Sequence, residues 1–395
     1  MNIGEKSIEL HKAHKGKIEI HSKVEVDDFE MLSLAYSPGV AAPCLEIEKN
    51  AENAYVYTNK ANTVAVISDG SAVLGLGNIG ANAAMPVMEG KAVLFKKFAG
   101  IDAIPLCIDT QDTEAFIATV GYLSTNFGGI NLEDISAPRC FEIEKRLKEK
   151  LPIPVFHDDQ HGTAIVVGAA LLNALKLVNK QKENIKVVIS GAGSAGISIA
   201  KLLLEIGIKD IVLVDKKGVL CVGEPWMNEY QTMMAKLTNI NNEKGDLKSI
   251  IKDKDVFIGV SAPNIVDANM VSTMNEDAIV FALANPVCEI MPEEAKKGGA
   301  RVVATGRSDY PNQVNNALVF PGIFKGALEA RALKISEKMK VVCVYALSEI
   351  IKENELCEDY IIPSIFDERV VEAVSKAVSK VAIQEGVVRT DGISY

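Results

Sequence analysis

The chain has 395 residues, enough for two or three domains that each bury a core, and its 48% hydrophobic and 24% charged residues are the balance of a globular protein. A formal charge of −10 excludes broad binding to nucleic acid or to an acidic membrane surface, both of which need a basic face. The charged start MNIGEKSIELHKAHKGK lacks the apolar stretch of a signal peptide, no apolar run approaches a membrane span, and the seven scattered cysteines, without any C-x-x-C, read as reduced thiols of a cytoplasmic protein.

The first thirty residues are polar and of mixed charge. His11, His14 and His21 lack an acid or cysteine to complete a metal cluster, so the segment reads as a solvated arm or helix at a subunit contact. Pro38-Gly39 then signals a turn that leaves Tyr36 near a loop edge; taken alone, this tyrosine reads as ordinary packing. Residues 63–68 (TVAVIS) alternate as a strand and run into the turn pair Asp69-Gly70. Gly75, Gly77 and Gly80 form a G-x-G-x-x-G without an acid-tipped second strand, which points to close backbone approach to another element or a small ligand. Lys91 follows Gly90 at the head of an apolar run and, on its own, reads as a solvated helix residue. Residues 100–109 read as another strand.

Acids come next, in pairs. Glu133 and Asp134 follow an apolar position, and Asp158-Asp159 end the strand-like Val155-Phe156, before an alanine-rich run over residues 163–175 that suits a buried helix. Carboxylates at strand ends suit a hard divalent cation that takes oxygen ligands. The same pairs also fit helix N-terminal acids, and spacing does not separate the two readings.

Residues 185–215 organise the second half of the chain. An apolar β-branched run leads into Gly191, Gly193 and Gly196 as G-x-G-x-x-G, with Ser194 and Ala195 between them; a helical pattern, a stop at Gly207 and a second apolar run ending on Asp215 follow. The glycines permit the turn, the approach of a pyrophosphate and close helix–strand packing; the helix start receives the phosphates, and Asp215 accepts from the adenosine ribose. Residues 255–260 and 278–283 read as further parallel strands. The residues after them, Ser261, Asn264 and Asn285, fall where a doubly wound sheet lines its nicotinamide pocket. Asn315-Asn316 open another apolar segment, and residues 327–386 are helical in pattern. The expected fold is α/β, with an N-terminal α/β catalytic domain (1–162) and a doubly wound, parallel-sheet dinucleotide domain of Rossmann type with C-terminal helices (163–395).

Taken together, the blocks AYSPGVAAP, VAVISDGSAVLGLGNIG, PVMEGKAVLFKKFAGIDA, INLEDISAPRCFEIE, PVFHDDQHGTA, GAGSAG, FALANP and QVNNALVFPG resemble the malic enzymes, in particular their short prokaryotic-type form. The blocks occur in family order over nearly the whole chain. The resemblance implies oxidative decarboxylation of L-malate to pyruvate and carbon dioxide, with Tyr36 as general acid and Lys91 as general base. It also implies Mg²⁺ or Mn²⁺ on Glu133, Asp134 and Asp159, with Asp158 orienting the site. Asn285 and Asn316 contact substrate and nicotinamide, and the assembly is a homodimer. The chemistry asks for a neutral Lys91 to take the hydroxyl proton as hydride leaves C2, and for Tyr36 to protonate C3 after carbon dioxide departs. Asp215 favours NAD over NADP, although Lys216 and Lys217 follow it directly. One position departs from the family: long-form members carry an arginine that grips a malate carboxylate where this chain has Ala72, which leaves Asn285 and Asn316 to hold that group. Two other outcomes stay open. A malolactic enzyme with tightly held NAD would use the same residues, and a non-catalytic nucleotide sensor should have lost some of them.

Overall fold

The structure is a computed structural model that describes residues 2–389. Four strands, β1 (Thr63–Ser68), β2 (Asp102–Cys107), β3 (Gly129–Leu132) and β4 (Val155–His157), form a parallel sheet in the order β2-β1-β3-β4. Every residue of β1 is buried, as expected for a parallel strand covered on both faces. Leu132 pairs with His157, so the residues that leave β3 and β4 emerge side by side at the carboxyl edge of this sheet.

The second sheet contains β5 (Lys186–Ser190), β6 (Asp210–Asp215), β7 (Gly218–Val219), β8 (Val256–Gly259), β9 (Ala278–Ala282) and β10 (Ala300–Thr305), in the order β10-β9-β8-β5-β6-β7. It is parallel except for the short edge strand β7, which turns back antiparallel on β6. From β5 the chain moves to β6 on one side and later returns to β8 on the other. That reversal opens a crevice above the ends of β5 and β8, where doubly wound sheets bind ligands.

The helix Asp158–Leu177 starts directly after β4 and buries most of its length, Ala164 to Leu171 without interruption. Its apolar run is buried because other helices surround it, among them Ser194–Glu205 and Glu337–Ser348. One core runs through both sheets. An aromatic cluster within it joins the first sheet to the C-terminal helix Phe320–Glu329: Phe95 lies 4.7 Å from Phe320, and Phe156 lies 6.0 Å from Phe324. A smaller core, including Val188, Val212, Phe257 and Val280, covers the opposite face of the second sheet. The N-terminal helices Ile3–His14, Phe29–Ala35 and Ala41–Lys49 bury no residue, and they leave Ile3, Ile8, Phe29 and Leu34 exposed.

Candidate active site

The sheet register brings the acids together. Glu133 and Asp134 leave β3, while Asp158 and Asp159 are both the residues after β4 and the first turn of the helix Asp158–Leu177. For Asp158 and Asp159, strand-end acid and helix N-terminal acid therefore describe the same residues, and the helix dipole favours their negative charge. Carboxylate oxygens of Glu133, Asp134 and Asp159 lie within 4.8 Å of one another. Asp134 takes a left-handed backbone (φ 54°), and its N–H donates to Asp159 Oδ2 at 2.8 Å, which locks the two acid-bearing loops together. Glu144 anchors the same helix start from below, accepting the His157 N–H at 3.2 Å and bonding His161 Nε2 at 2.8 Å.

Lys91, on the helix Ala81–Leu94, is buried against this group. Its ammonium lies 2.8 Å from Glu133 Oε1 and 2.5 Å from Asp158 Oδ2, and 4.3 Å from the centre of the Phe320 ring. Burial works against the ammonium, but Asp158, Glu133 and Asp159 outweigh it and hold its pKa above the ordinary lysine value. The surrounding carboxylates hold the proton on Lys91, so the neutral lysine that the chemistry asks for needs positive charge that offsets them. Burial in turn raises the carboxyls of Glu133, Asp158 and Asp159, with Lys91 opposing in each case. Glu133, Asp158 and Asp159 thus surround the buried ammonium of Lys91, and Asp134 lies beside Glu133 and Asp159. This all-oxygen set fits a hard divalent cation on Glu133, Asp134 and Asp159.

These residues line a cleft of about 900 Å³ whose opposite wall, Ala195, Ser261 and Asn285, comes from the loops of the second sheet. Asn316 lies against the start of the helix Asp158–Leu177, where a Cβ on Gly162 would meet its Cβ at 3.1 Å. A second cavity of about 770 Å³ is lined by Gly191, Gly193, Asp215, Lys216 and Lys217, and it shares Ser261 and Ala262 with the first. A dinucleotide laid along both would put its adenosine at Asp215 and its nicotinamide at the acids. Gly191 has φ 112°, and a Cβ on Gly196 would lie 1.7 Å from the Gly191 carbonyl, so the turn tolerates no side chain there. Gly193 faces open space, and it precedes the helix Ser194–Glu205 without a side-chain cap, which leaves the helix N–H groups for an anion. Gln231 donates to Asp215 Oδ2 at 3.2 Å and orients that carboxylate. The other glycine-rich loop serves close approach: a Cβ on Gly75 would lie 2.2 Å from the Asn285 carbonyl, so this loop packs against the far wall of the cleft.

Tyr36 and Asn264 are expected site residues that are not drawn in: Asn264 is exposed and lines neither cavity. Tyr36 caps the helix Phe29–Ala35 with its side chain 71% exposed, and it is not among the residues that line the cleft. Two residues that sequence reasoning passed over do belong here. Lys17 lines the cleft beside Lys91. Glu289, fully buried, accepts the N–H of Ser261 at 2.8 Å and of Ala284 at 2.9 Å, so it ties together the loops after β8 and β9. A lone acid between Cys288 and Ile290 was the available signal, since buried carboxylates occur where something pairs with them.

A doubly wound sheet with a glycine-lined crevice, opening onto a buried lysine among carboxylates, defines a nicotinamide-dinucleotide dehydrogenase. Comparison with known proteins names the family. The model of the malic enzyme N-terminal domain matches residues 15–148, and that of the malic enzyme NAD binding domain matches residues 160–384. The chain is 56% identical over 390 residues to a bifunctional malic/malolactic enzyme of Bacillus subtilis, covering 98% of this chain and 95% of that protein. It is 56% identical over 393 residues to an NAD-dependent malic enzyme of Geobacillus stearothermophilus, covering 100% of this chain and 82% of that protein. Other relatives are named NADP-dependent malic enzymes. The crystal structure of an NAD-dependent malic enzyme from Thermotoga maritima superposes with a TM-score of 0.91 at 51% identity, covering 94% of this chain and 98% of that one. The chain belongs to the malic enzyme family.

Proposed function

We propose that the protein oxidises L-malate at C2 with NAD as hydride acceptor and releases carbon dioxide to leave pyruvate, in a cleft that takes a divalent cation and is completed by a second copy of the chain. The observation that carries this reading is the meeting of Lys91 and the acids of β3 and β4 with the dinucleotide crevice in one cavity. On this reading residues 1–162 form the catalytic domain and residues 163–395 the dinucleotide domain, and the helix Asp158–Leu177 belongs to both.

Glu133, Asp134 and Asp159 hold the cation. When bound, Mg²⁺ or Mn²⁺ supplies positive charge that offsets these carboxylates, polarises the C2 oxygen and stabilises the negative charge left by decarboxylation. Lys91 takes the hydroxyl proton as hydride departs. Asp158, with its carboxyl raised by burial and 2.5 Å from the lysine, receives and returns a proton, so it keeps Lys91 cycling between its two states. Asn285, across the cleft from the acids, and Asn316, beside the helix start that carries them, orient the substrate and nicotinamide. Asp215 hydrogen-bonds the free ribose and repels a 2′-phosphate, which supports NAD over NADP.

Tyr36 protonates C3 from a partner subunit. Its exposure, and the exposed Phe29 and Leu34 on the helix before it, support a homodimer in which this arm docks against the neighbouring cleft. All seven cysteines are free, which supports a reducing, cytoplasmic setting. No helix among the described residues is long and apolar enough to cross a membrane.

Malate, Mn²⁺ and NAD⁺ test this: reduced cofactor and pyruvate should accumulate together. Lactate formed without net reduced cofactor would mark the malolactic outcome, which the likeness to the Bacillus subtilis enzyme favours as a second activity. Absence of turnover would support a nucleotide sensor instead. Mixing inactive Tyr36→Phe and Lys91→Ala subunits tests the shared site. The hybrid should regain activity, because one of its two clefts then joins an intact Tyr36 to an intact Lys91; hybrids without activity place both residues in one chain's site.

A further inference from the structure

We propose that Lys17 binds the C4 carboxylate of malate, the group that leaves as carbon dioxide, and so supplies the charge that Ala72 lacks. This rests on the malate reading above. Lys17 belongs to the N-terminal arm, yet two contacts hold it on the helix that carries Lys91. Its backbone N–H donates to Glu89 Oε2 at 2.9 Å, and its ammonium donates to the Pro86 carbonyl at 2.6 Å. The ammonium also stands over Gly90, next to Lys91 in sequence: a Cβ on Gly90 would lie 3.6 Å from Lys17 Nζ.

What distinguishes Lys17 from Lys91 is the nature of its partners. Lys91 is paired with Glu133 and Asp158, so its charge is already compensated. Besides Pro86, the ammonium of Lys17 meets His11 Nε2 at 2.8 Å. His11 Nδ1 lies 2.7 Å from the Ser7 carbonyl, so both bonds form together only when Nδ1 carries the proton and Nε2 accepts from Lys17. Two neutral acceptors thus fix the ammonium in place, and the nearby Glu89 carboxylate is engaged by the backbone N–H of Lys17. An ammonium has three N–H groups, so one remains for a ligand. Among the described residues lining the cleft, Lys17 and Lys91 are the cationic side chains. Burial lowers the pKa of Lys17 and only the Glu89 carboxylate opposes it, so an anion placed there meets a partly desolvated cation. A dicarboxylate with its C1 end and C2 oxygen at the acids and Lys91 has its other carboxylate left for this second cation. The neutral amides of Asn285 and Asn316 then orient the substrate, while Lys17 provides the charge.

A binding contact that is equal in ground and transition states changes KM and spares kcat. Lys17→Met keeps the length of the stem and removes the charge. With saturating Mn²⁺ and NAD⁺, it should raise the malate KM roughly 10- to 100-fold, the effect of losing one hydrogen bond to a charged group. The kcat and the NAD⁺ KM should stay near wild type, and Lys17→Arg should recover most of the malate affinity. Pyruvate has no C4 carboxylate. Exchange of its C3 protons in D₂O, with metal and reduced cofactor present, should therefore be as fast in Lys17→Met as in wild type. An unchanged malate KM, or an equal loss of pyruvate exchange, overturns the proposal. A wild type that fails to oxidise malate overturns the functional reading and this inference with it, whereas an active wild type matched by Lys17→Met overturns this inference alone.

Discussion

Glu289→Gln tests whether the nicotinamide end of the cleft is held from behind. The carboxylate is fully buried and accepts two backbone N–H groups, from Ser261 at 2.8 Å and from Ala284 at 2.9 Å. Those N–H groups open the loops that carry Ser261 and Asn285, so one side chain sets the separation of the two loops. Burial raises the Glu289 carboxyl, and the two N–H groups oppose that shift, as expected of acceptors that stabilise the ionised form. Glutamine keeps one acceptor oxygen and turns an NH₂ toward the other donor. One charge-assisted bond is lost and one buried N–H is left unsatisfied, each about 1–3 kcal/mol, while removing a buried charge gives part of this back. A net loss of about 2 kcal/mol is expected, mostly as slack in the two loops. If about 1.4 kcal/mol of that must be recovered when the cofactor orders them, the NAD⁺ Kd rises about tenfold. Calorimetric titration with NAD⁺ measures this directly, with thermal unfolding run in parallel. A variant that unfolds earlier but binds NAD⁺ as tightly as wild type would falsify the clamp and make Glu289 a matter of stability only.

Asp134→Asn and Asp159→Asn should each abolish turnover and weaken Mn²⁺, while NAD⁺ affinity stays within about twofold, since acids and glycine loop lie on different sheets; unchanged Mn²⁺ affinity would remove these residues from the metal. NADP⁺ should give a lower kcat/KM than NAD⁺, and Asp215→Ser should narrow the gap; an enzyme faster with NADP⁺ refutes the reading of Asp215. Asn316→Ala should raise the malate KM more than the cofactor KM, and the reverse ranking would put Asn316 on the nicotinamide. In the metal-free protein, Asp158 is raised to about 7 and Glu133 and Asp159 are raised with it, all by burial first. These carboxyls therefore bind more protons in the folded state than in the unfolded chain between roughly pH 4 and 7, so their contribution to stability falls as pH rises through that window, while His157 and His161, lowered to about 4 by burial, oppose it. Between pH 5 and pH 7 the Tm of the protein assayed without added metal should fall relative to that of Asp158→Asn, and an equal pH dependence would contradict the burial of the Asp158 carboxyl.

Much of this protein was readable from short stretches of its sequence. The crevice at Gly191, Gly193 and Gly196 was legible because a strand-to-helix turn that admits a pyrophosphate can be built from few residue types, all within about one βαβ unit. The acids were legible as carboxylates at strand ends, but their spacing left a cation site and helix N-terminal acids both open. Folding decided which side chains meet. Lys91 and Asp158 are 67 residues apart, Lys17 and Glu89 are 72 apart, and Glu289 reaches back 28 residues to Ser261. The strand order and the pairing of Leu132 with His157 set those meetings, and a residue's own neighbours carry no record of them. Lys91 looked like a solvated helix lysine because its local sequence is that of one; only the first sheet surrounds it with acids. Tyr36 marks the opposite case. Its motif was plain, but the single chain leaves it on an exposed arm, because helices without a core of their own are positioned by what they dock against.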